Sequence, residues 1–408
     1  MKKRFNTTGV CVARKHYMVD ISNKLEQIKE LIDNEFYFTI NKPRQYGKTT
    51  TLNELYNLLK DEYLVIDISF EGIGDKVFED EEVFSKKFIE LLSESIELNS
   101  RDESNRLLSL SKNIGNIKEL SKCITDFIKN STKEVILFID EVDKSSNNQL
   151  FLSFIGMLRN KYLSREVGRD FTFKSVILVG LYDVKSLKLK LRKEEEKYNS
   201  PWNIAVDFDI DMSFSPSEIS TMIESYAKEN DLIMDIEVIS KEIYFFTKGY
   251  PYLVSRLCQI IDEKINKDVK KQWVKEDVKR SVKIINEEVN TLFESIVKNI
   301  DNNSALYEVI NRILIDGEQI IFNGLDPVIS LGVIYGIFSK GKDGVEISNK
   351  IFEEIIYNYM ISKIRTSTRN MSLYNNKLGF IKENRELNIE KVLKKFQQFM
   401  KEQYSTKD

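Results

Sequence analysis

The 408-residue chain is longer than one hydrophobic core usually organises, since domains cluster near roughly 100 to 200 residues, and its length predicts two or three folded units. With 42% hydrophobic and 31% charged residues, the composition is that of a soluble globular protein and excludes general disorder. The 61 basic and 64 acidic side chains give a formal net charge of −3, so the chain as a whole has no electrostatic attraction to nucleic acid or anionic lipid.

The first 212 residues alternate helical and strand patterns. Apolar side chains recur at helical spacing over residues 22–32 and 49–60, and the run at 135–139 is continuously apolar, which is typical of a strand covered on both faces. Strands separated by helices are typical of a parallel, three-layer α/β domain, and we predict one up to residue 212. Its five predicted strands lie at 36–40, 64–68, 135–139, 176–180 and 204–208.

The rest of the chain has mainly helical patterns. Pro216 and Glu218 form a typical helix start after Ser215. Residues 304–360 have the order helix, short helix, hairpin and closing helix, which is typical of a winged helix. The sequence therefore predicts four parts: a core at 1–212, a helical lid at 213–290, a winged-helix-like domain at 304–360 and a C-terminal helical tail at 361–408.

The cysteine, histidine and hydropathy patterns argue against several classes of protein. Cys11, Cys123 and Cys258 are scattered, and His16 is the only histidine, which disfavours a disulfide scaffold, a zinc site or a Ser-His-Asp hydrolase. The longest nearly apolar run, 328–338, is shorter than the roughly 18 to 20 residues that span a bilayer. No apolar segment follows the N-terminal charges, so we expect a cytoplasmic protein without membrane association.

Residues 42–49 have the spacing of a phosphate-binding loop. The segment Lys-Pro-Arg-Gln-Tyr-Gly-Lys-Thr lies between a predicted strand and a predicted helix, as the pattern G-x-x-x-x-G-K-[ST] requires, although Lys42 replaces the first glycine. In such loops, backbone amides and the positive helix end cradle the phosphates. Lys48 would then bridge the β- and γ-phosphates, and the Thr49 hydroxyl would hold Mg²⁺. The alternative is a helix that merely begins with Gly-Lys-Thr.

Two acidic residues follow the apolar strand 135–139. Asp140 is placed to orient Mg²⁺ through its water shell, and Glu141 is placed to polarise the attacking water as general base. An ordinary solvated strand end is the alternative. With the phosphate loop, the pair predicts Mg²⁺-dependent ATP hydrolysis, in which Lys48, Asp140 and Glu141 are catalytic and Thr49 and Asp140 bind the metal.

These residues resemble the AAA-like, STAND-related ATPases of bacteria and archaea, in which P-R-x-x-G-K-T-[ST] recurs. The matching segment here is 43–50, and the resemblance covers residues 5–360. It implies an ATPase core, a helical lid with a G-x-P turn against the nucleotide, and a C-terminal winged helix. Further matching segments are His-Tyr-Met-Val-Asp at 16–20, Phe-Ile-Asp-Glu at 138–141, Val-Gly-Leu-Tyr-Asp at 179–183, Phe-Ser-Pro-Ser-Glu-Ile at 214–219 and Gly-Tyr-Pro-Tyr-Leu at 249–253.

The resemblance also implies which residues contact ATP. Tyr182 or Asp183 takes the position of a γ-phosphate sensor, and Arg192 that of an arginine finger, with a turn residue and a solvated helix face as the respective alternatives. The implied adenine pocket includes Tyr17 and Val19. The implied nucleotide contacts are Pro43, Arg44, Gln45, Tyr46, Gly47, Lys48, Thr49, Thr50, Tyr17, Val19 and Pro251.

Three functions are consistent with these features. The leading hypothesis is an ATP-hydrolysing molecular switch that couples nucleotide state to a protein partner or to self-association. The alternatives are a nucleotide-gated scaffold with negligible turnover and a DNA-associated ATPase of a mobile element or defence system. Nucleic-acid binding is disfavoured because the short helix of the winged-helix-like domain, within 326–332, contains no basic residue.

Overall fold

The computed structural model of the chain describes residues 2–144, 149–181, 202–267, 271–366 and 387–404. The chain divides into two compact units. The first, here called the α/β unit, comprises Thr8–Val12 and Asp20–Met212. The second, here called the helical unit, comprises Met1–Thr7, Ala13–Val19 and Ser213–Asp408, so most of the first 19 residues belong to it and not to the α/β unit.

The α/β unit contains four strands and six α-helices among its described residues. The strands are β1 (Phe38–Asn41), β2 (Leu64–Ser69), β3 (Val135–Asp140) and β4 (Ser175–Gly180). The helices are α1 (Ser22–Asp33), α2 (Lys48–Leu59), α3 (Glu81–Ile96), α4 (Arg101–Leu110), α5 (Ile117–Lys129) and α6 (Gln149–Glu166). Short 3-10 turns lie at Asp75–Phe78, Ser111–Asn113 and Val142–Lys144.

The four strands form one parallel sheet in the order β1-β4-β3-β2. Helices cover both faces of the sheet. Successive residues of a strand point to opposite faces, so neighbouring residues of β3 pack against different helices. Leu137 of β3 belongs to a core cluster with Phe88 of α3 and Phe154 of α6, whereas Phe138 belongs to a second cluster with Leu52 of α2. All six β3 residues are buried, and the predicted three-layer parallel α/β fold is confirmed.

The fifth predicted strand, at 204–208, is present only as a single bridge. Val206 is a parallel partner of Phe38, and its N–H donates to the Tyr37 carbonyl at 3.0 Å. β1 has four residues and then turns into the loop that follows Asn41. β1 pairs along all four of its residues with β4, whereas residues 204–208 add only this one bridge.

The helical unit contains nine α-helices and one hairpin among its described residues. The helices are α7 (Pro216–Glu229), α8 (Ile236–Thr247), α9 (Pro251–Ile260), α10 (Lys275–Asn286), α11 (Thr291–Asp301), α12 (Ser304–Leu314), α13 (Pro327–Ile334), α14 (Lys350–Thr366) and α15 (Ile389–Tyr404). A π-helical turn, Ile261–Ile265, extends α9. The hairpin pairs β5 (Phe338–Lys340) with β6 (Val345–Ile347) in antiparallel fashion.

The start of α7, which the sequence predicts after Ser215, is fixed by a capping box. The Ser215 hydroxyl accepts the Glu218 N–H at 3.2 Å, and the Glu218 carboxylate accepts the Ser215 N–H at 2.7 Å, with Pro216 in the first turn. The residue before this box, Phe214, donates its N–H to the Gly249 carbonyl at 2.8 Å. This bond fixes the entry to α7 against the turn that precedes α9.

No helix among the described residues is both long enough and apolar enough to cross a membrane.

Candidate nucleotide site

The carboxyl ends of β1, β4 and β3 lie side by side at one edge of the sheet, because the three strands are parallel neighbours. Asn41 at the end of β1 is the register partner of Gly180 at the end of β4. Ligands of open α/β sheets bind at this edge. The predicted phosphate loop follows β1 and the predicted acidic pair ends β3, so the fold brings both to the same edge.

The loop between β1 and α2 contains two residues in the left-handed region. Gln45 has φ 56° and Gly47 has φ 78°, and Gly47 immediately precedes the first residue of α2. Glycine takes this conformation without steric cost, whereas Gln45 takes it against the preference of an L-residue. The loop therefore turns sharply into α2 even though its first position is Lys42 and not glycine.

The Lys48 side chain is hydrogen-bonded to the loop between β1 and α2. Its ammonium donates to the carbonyl oxygens of Lys42 at 2.9 Å and Pro43 at 3.0 Å. Burial lowers the pKa of Lys48, while the nearby carboxylates of Glu141 and Asp140 act in the opposite direction. The side chain is thus a partly desolvated cation held at the predicted phosphate loop by two neutral acceptors.

Thr49 and Asp140 are in direct contact. The Thr49 hydroxyl donates to Asp140 Oδ2 at 2.9 Å, and Asp140 Oδ1 accepts the Glu141 N–H at 2.8 Å. Asp140 is 6% exposed, and Glu141 has φ 56°. The left-handed turn at Glu141 directs the chain away from β3 immediately after the buried aspartate.

The donor set of this pair fits Mg²⁺. A threonine hydroxyl and a carboxylate are oxygen ligands of the kind that a small, hard cation prefers, and Mg²⁺ sites commonly use one or two protein oxygens and keep several waters. Thr49 is an exposed residue at the first turn of α2. Thr49 and Asp140 would hold the ion, as the sequence predicts.

The remaining predicted loop residues surround this arrangement. Arg44 and Gln45 are exposed, and Tyr46 is half-buried. The Thr50 hydroxyl accepts the N–H of Cys11 at 3.2 Å. The segment Thr8–Val12 therefore contacts the first turn of α2 within the α/β unit.

Tyr17, Val19 and Pro251, the other predicted nucleotide contacts, belong to the helical unit. The Tyr17 ring is 3% exposed and packs 4.8 Å from the Phe5 ring and 5.4 Å from the Tyr226 ring, measured between centroids. Burial raises the pKa of Tyr17 to about 12. Val19 is also buried, and Pro251 is the buried first residue of α9. Contact of these three residues with a nucleotide remains a prediction, and so does contact of the loop residues with a nucleotide.

The sensor candidates Tyr182 and Asp183 and the finger candidate Arg192 lie outside the described residues.

One acidic residue near the site was not singled out by the sequence patterns. Asp143 Oδ1 accepts the N–H of Leu181 at 3.0 Å, directly after β4. Its signal is its position three residues after Asp140, in the same turn that leaves β3. A short acidic segment at a strand end does not by itself reveal which neighbouring strand it contacts.

Comparisons with known proteins agree with this fold. The model of the AAA-like domain family matches residues 8–336. A Walker-type ATPase of Pyrococcus abyssi has a TM-score of 0.57 and 14% identity over 86% of this chain and 99% of that chain. The RuvB Holliday junction branch migration motor of Thermotoga maritima has a TM-score of 0.41 and 12% identity over 83% of this chain and 95% of that chain. No curated protein sequence matches. Because the family match spans most of the sequence, the chain belongs to the AAA-like domain family, and its α/β unit has the P-loop NTPase fold.

Proposed function

We propose that the chain binds Mg-ATP and hydrolyses it. The observation that supports this proposal is the contact between Thr49 and Asp140, two hard oxygens at the same edge of the sheet as the Lys48 cation. Phosphoryl transfer needs mainly positioning and charge stabilisation, and these side chains supply both.

Lys48 is suited to receive the phosphates. Its two present acceptors are neutral carbonyls, and hydrogen bonds from an ammonium to a charged oxygen are stronger than those to a neutral one. Partial burial increases this advantage, because electrostatic attraction grows as water is excluded. We infer that Lys48 exchanges the loop carbonyls for the β- and γ-phosphate oxygens when ATP binds.

Glu141 is the proposed general base. Its carboxylate acts to raise the pKa of Lys48, against the larger effect of burial. Asp140, in contrast, accepts the Thr49 hydroxyl with Oδ2 and the Glu141 N–H with Oδ1. Glu141 would take a proton from the attacking water while Asp140 holds the metal side. Mg²⁺, when bound, neutralises charge on the phosphate oxygens.

We infer further that the nucleotide state is coupled to the helical unit and, through it, to a protein partner or to a second copy of the chain. The N-terminal stretch supports this idea. Thr8–Val12 belongs to the α/β unit, where the Cys11 N–H donates a hydrogen bond to the Thr50 hydroxyl. The residues before and after this segment belong to the helical unit. A change at the first turn of α2 would therefore act on a segment that is covalently joined to the helical unit at both ends.

Turnover tests the proposal. The wild-type protein should release phosphate from ATP in the presence of Mg²⁺ and stop when the metal is chelated. Glu141→Gln should still bind Mg-ATP but lose about 10²-fold or more in kcat, because the base acts in the transition state. Glu79→Gln is the matched control, since Glu79 is an exposed carboxylate of the same unit.

Tight ATP binding without phosphate release, alone or with cell extract, would favour the nucleotide-gated scaffold. Equal turnover by Glu141→Gln and wild type would remove Glu141 from the mechanism.

A further inference from the structure

The end of β4 lies between the two halves of the proposed site. β4 has β1 on one side and β3 on the other, so its last residue separates the phosphate loop from Asp140 and Glu141. Gly180 faces the loop through its carbonyl, which accepts the Lys42 N–H at 3.4 Å. Any shift of this strand end would therefore change the spacing between the loop and the acidic pair.

Asp143 fixes this strand end from the β3 side. Its Oδ1 atom accepts the Leu181 N–H at 3.0 Å, and a hydrogen bond to a carboxylate is stronger than one to a neutral oxygen. Val142, beside it, is 0% exposed and belongs to the hydrophobic core. The turn that carries Asp143 is thus anchored in the core while its carboxylate reaches the backbone of the neighbouring strand.

The close approach requires glycine at position 180. A Cβ atom at Gly180 would lie 2.7 Å from Asp143 Oδ1 and 3.1 Å from Val142 Cγ2. A contact of 2.7 Å is too short for a carbon and a carboxylate oxygen, so any side chain here would push Asp143 away from Leu181. Gly180 at the end of β4 and Asp143 in the turn after β3 therefore depend on each other for this contact.

We propose that Asp143 is a positioning residue that holds the carboxyl end of β4, at Gly180 and Leu181, in the place that ATP turnover requires. The inference rests on the proposed ATPase function. Asp143 acts through Leu181 and need not touch the nucleotide, so its loss should affect the geometry of the reacting groups more than the affinity for ATP. Small misplacements of reacting groups reduce rates strongly even when binding persists.

The test compares kcat with the dissociation constant of Mg-ATP. Asp143→Ala should lower kcat by about 10- to 100-fold and change the dissociation constant by less than about threefold. Asp143→Asn retains an oxygen that can accept the Leu181 N–H and should recover most of the rate. Gly180→Ala should reproduce the Asp143→Ala effect, and the double variant should be no worse than either single variant, because both remove the same contact.

Gly156→Ala is the matched control. Gly156 lies in α6, and a Cβ atom there meets no other atom within 4 Å, so this variant should keep the wild-type rate. Thermal unfolding of each variant shows whether it is folded at the assay temperature. A kcat within about threefold of wild type in folded Asp143→Ala, or additive losses in the double variant, would overturn the inference.

Hydrogen exchange at the Leu181 amide provides a readout that needs no turnover. Loss of the acceptor in Asp143→Ala should accelerate exchange at this amide, whereas Gly156→Ala should not. If the wild type releases no phosphate, the proposed ATPase function fails, and with it the role of Asp143 in turnover. If the wild type hydrolyses ATP but Leu181 exchanges equally in wild type and Asp143→Ala, the positioning contact itself is refuted.

Discussion

The Thr49 hydroxyl donates a hydrogen bond to Asp140 Oδ2 at 2.9 Å, across 91 positions of sequence. This contact joins the first turn of α2 to the last residue of β3. Both oxygens are of the hard type that Mg²⁺ prefers, and their hydrogen bond places them within the reach of one small cation. In the proposed function, this pair is the protein's part of the Mg²⁺ site.

Removing the hydroxyl should therefore weaken metal use selectively. Thr49→Ala should lower the affinity for Mg²⁺ in the presence of ATP by about tenfold, since one oxygen ligand is lost, while metal-free ATP affinity stays near wild type. Thr49→Ser keeps the hydroxyl and is the control. The measurement is a Mg²⁺ titration of nucleotide binding followed by a fluorescent ATP analogue. Equal Mg²⁺ dependence of Thr49→Ala and wild type would exclude Thr49 as a ligand.

Lys48 should contribute directly to ATP affinity. Its ammonium is partly buried, and its described hydrogen bonds go to two neutral acceptors, the carbonyl oxygens of Lys42 and Pro43. Lys48→Ala removes a charge-assisted contact worth about 1.5 to 3 kcal/mol, or about 10- to 150-fold in affinity. Titration with labelled ATP measures the effect. Lys60→Ala, an exposed lysine at the other end of α2, is the control, and unchanged affinity in folded Lys48→Ala would contradict the phosphate-loop assignment.

Gly249 should be intolerant of any side chain. It has φ 74°, and a Cβ atom would lie 2.0 Å from the Phe214 carbonyl oxygen, which is backbone and cannot rotate away. Gly249→Ala should destabilise the protein by about 3 kcal/mol or more, since the cost of the left-handed conformation and the clash add. Gly72→Ala isolates the first cost, because Gly72 has φ 77° but nothing within 4 Å of its Cβ position. Differential scanning calorimetry compares the two, and similar unfolding temperatures would show that Phe214 relaxes.

The sequence predicts those features that depend on neighbouring residues. The capping box at Ser215 and the turn from β1 into α2 are set within a few positions, and the continuous apolar run of β3 by itself indicates burial on both faces. The parallel α/β fold follows from the same local patterns. The residues that determine these features lie within the features themselves.

Contacts between distant segments are less visible. The Asp143–Leu181 bond spans 38 positions and the Cys11–Thr50 bond spans 39, and both depend on which strands and segments become neighbours. The order β1-β4-β3-β2 decides the first of these contacts. The predicted strand at 204–208 forms only the bridge at Val206, which its own apolar pattern does not reveal. The ring of Tyr17 packs within the helical unit, which no spacing rule in its own segment specifies.

The last prediction is that the predicted winged-helix-like domain at 304–360 does not bind DNA. In winged-helix and helix-turn-helix proteins, the second helix presents basic and amide side chains to the groove from its N-terminal end. Here α13 contains no basic residue, and its N-terminus is capped by Asp326, whose carboxylate accepts the N–H groups of Val328 and Ile329 at 2.9 and 3.0 Å. A carboxylate at that end would repel phosphate.

The two described lysines of α14 already have partners in the structure. Lys363 is paired with Asp301 at 2.6 Å, and the Lys350 ammonium lies 4.2 Å from the centroid of the Phe245 ring. Fluorescence anisotropy with a random duplex at about 50 mM salt, where electrostatic binding is strong, should show a dissociation constant weaker than about 1 µM. Asp326→Asn removes the repelling charge while retaining a capping side chain, and should increase whatever non-specific binding exists. Sub-micromolar binding by the wild type that weakens steeply with salt, and that is lost on deletion of residues 304–408, would reverse this prediction and favour a DNA-associated ATPase over a switch that acts on protein.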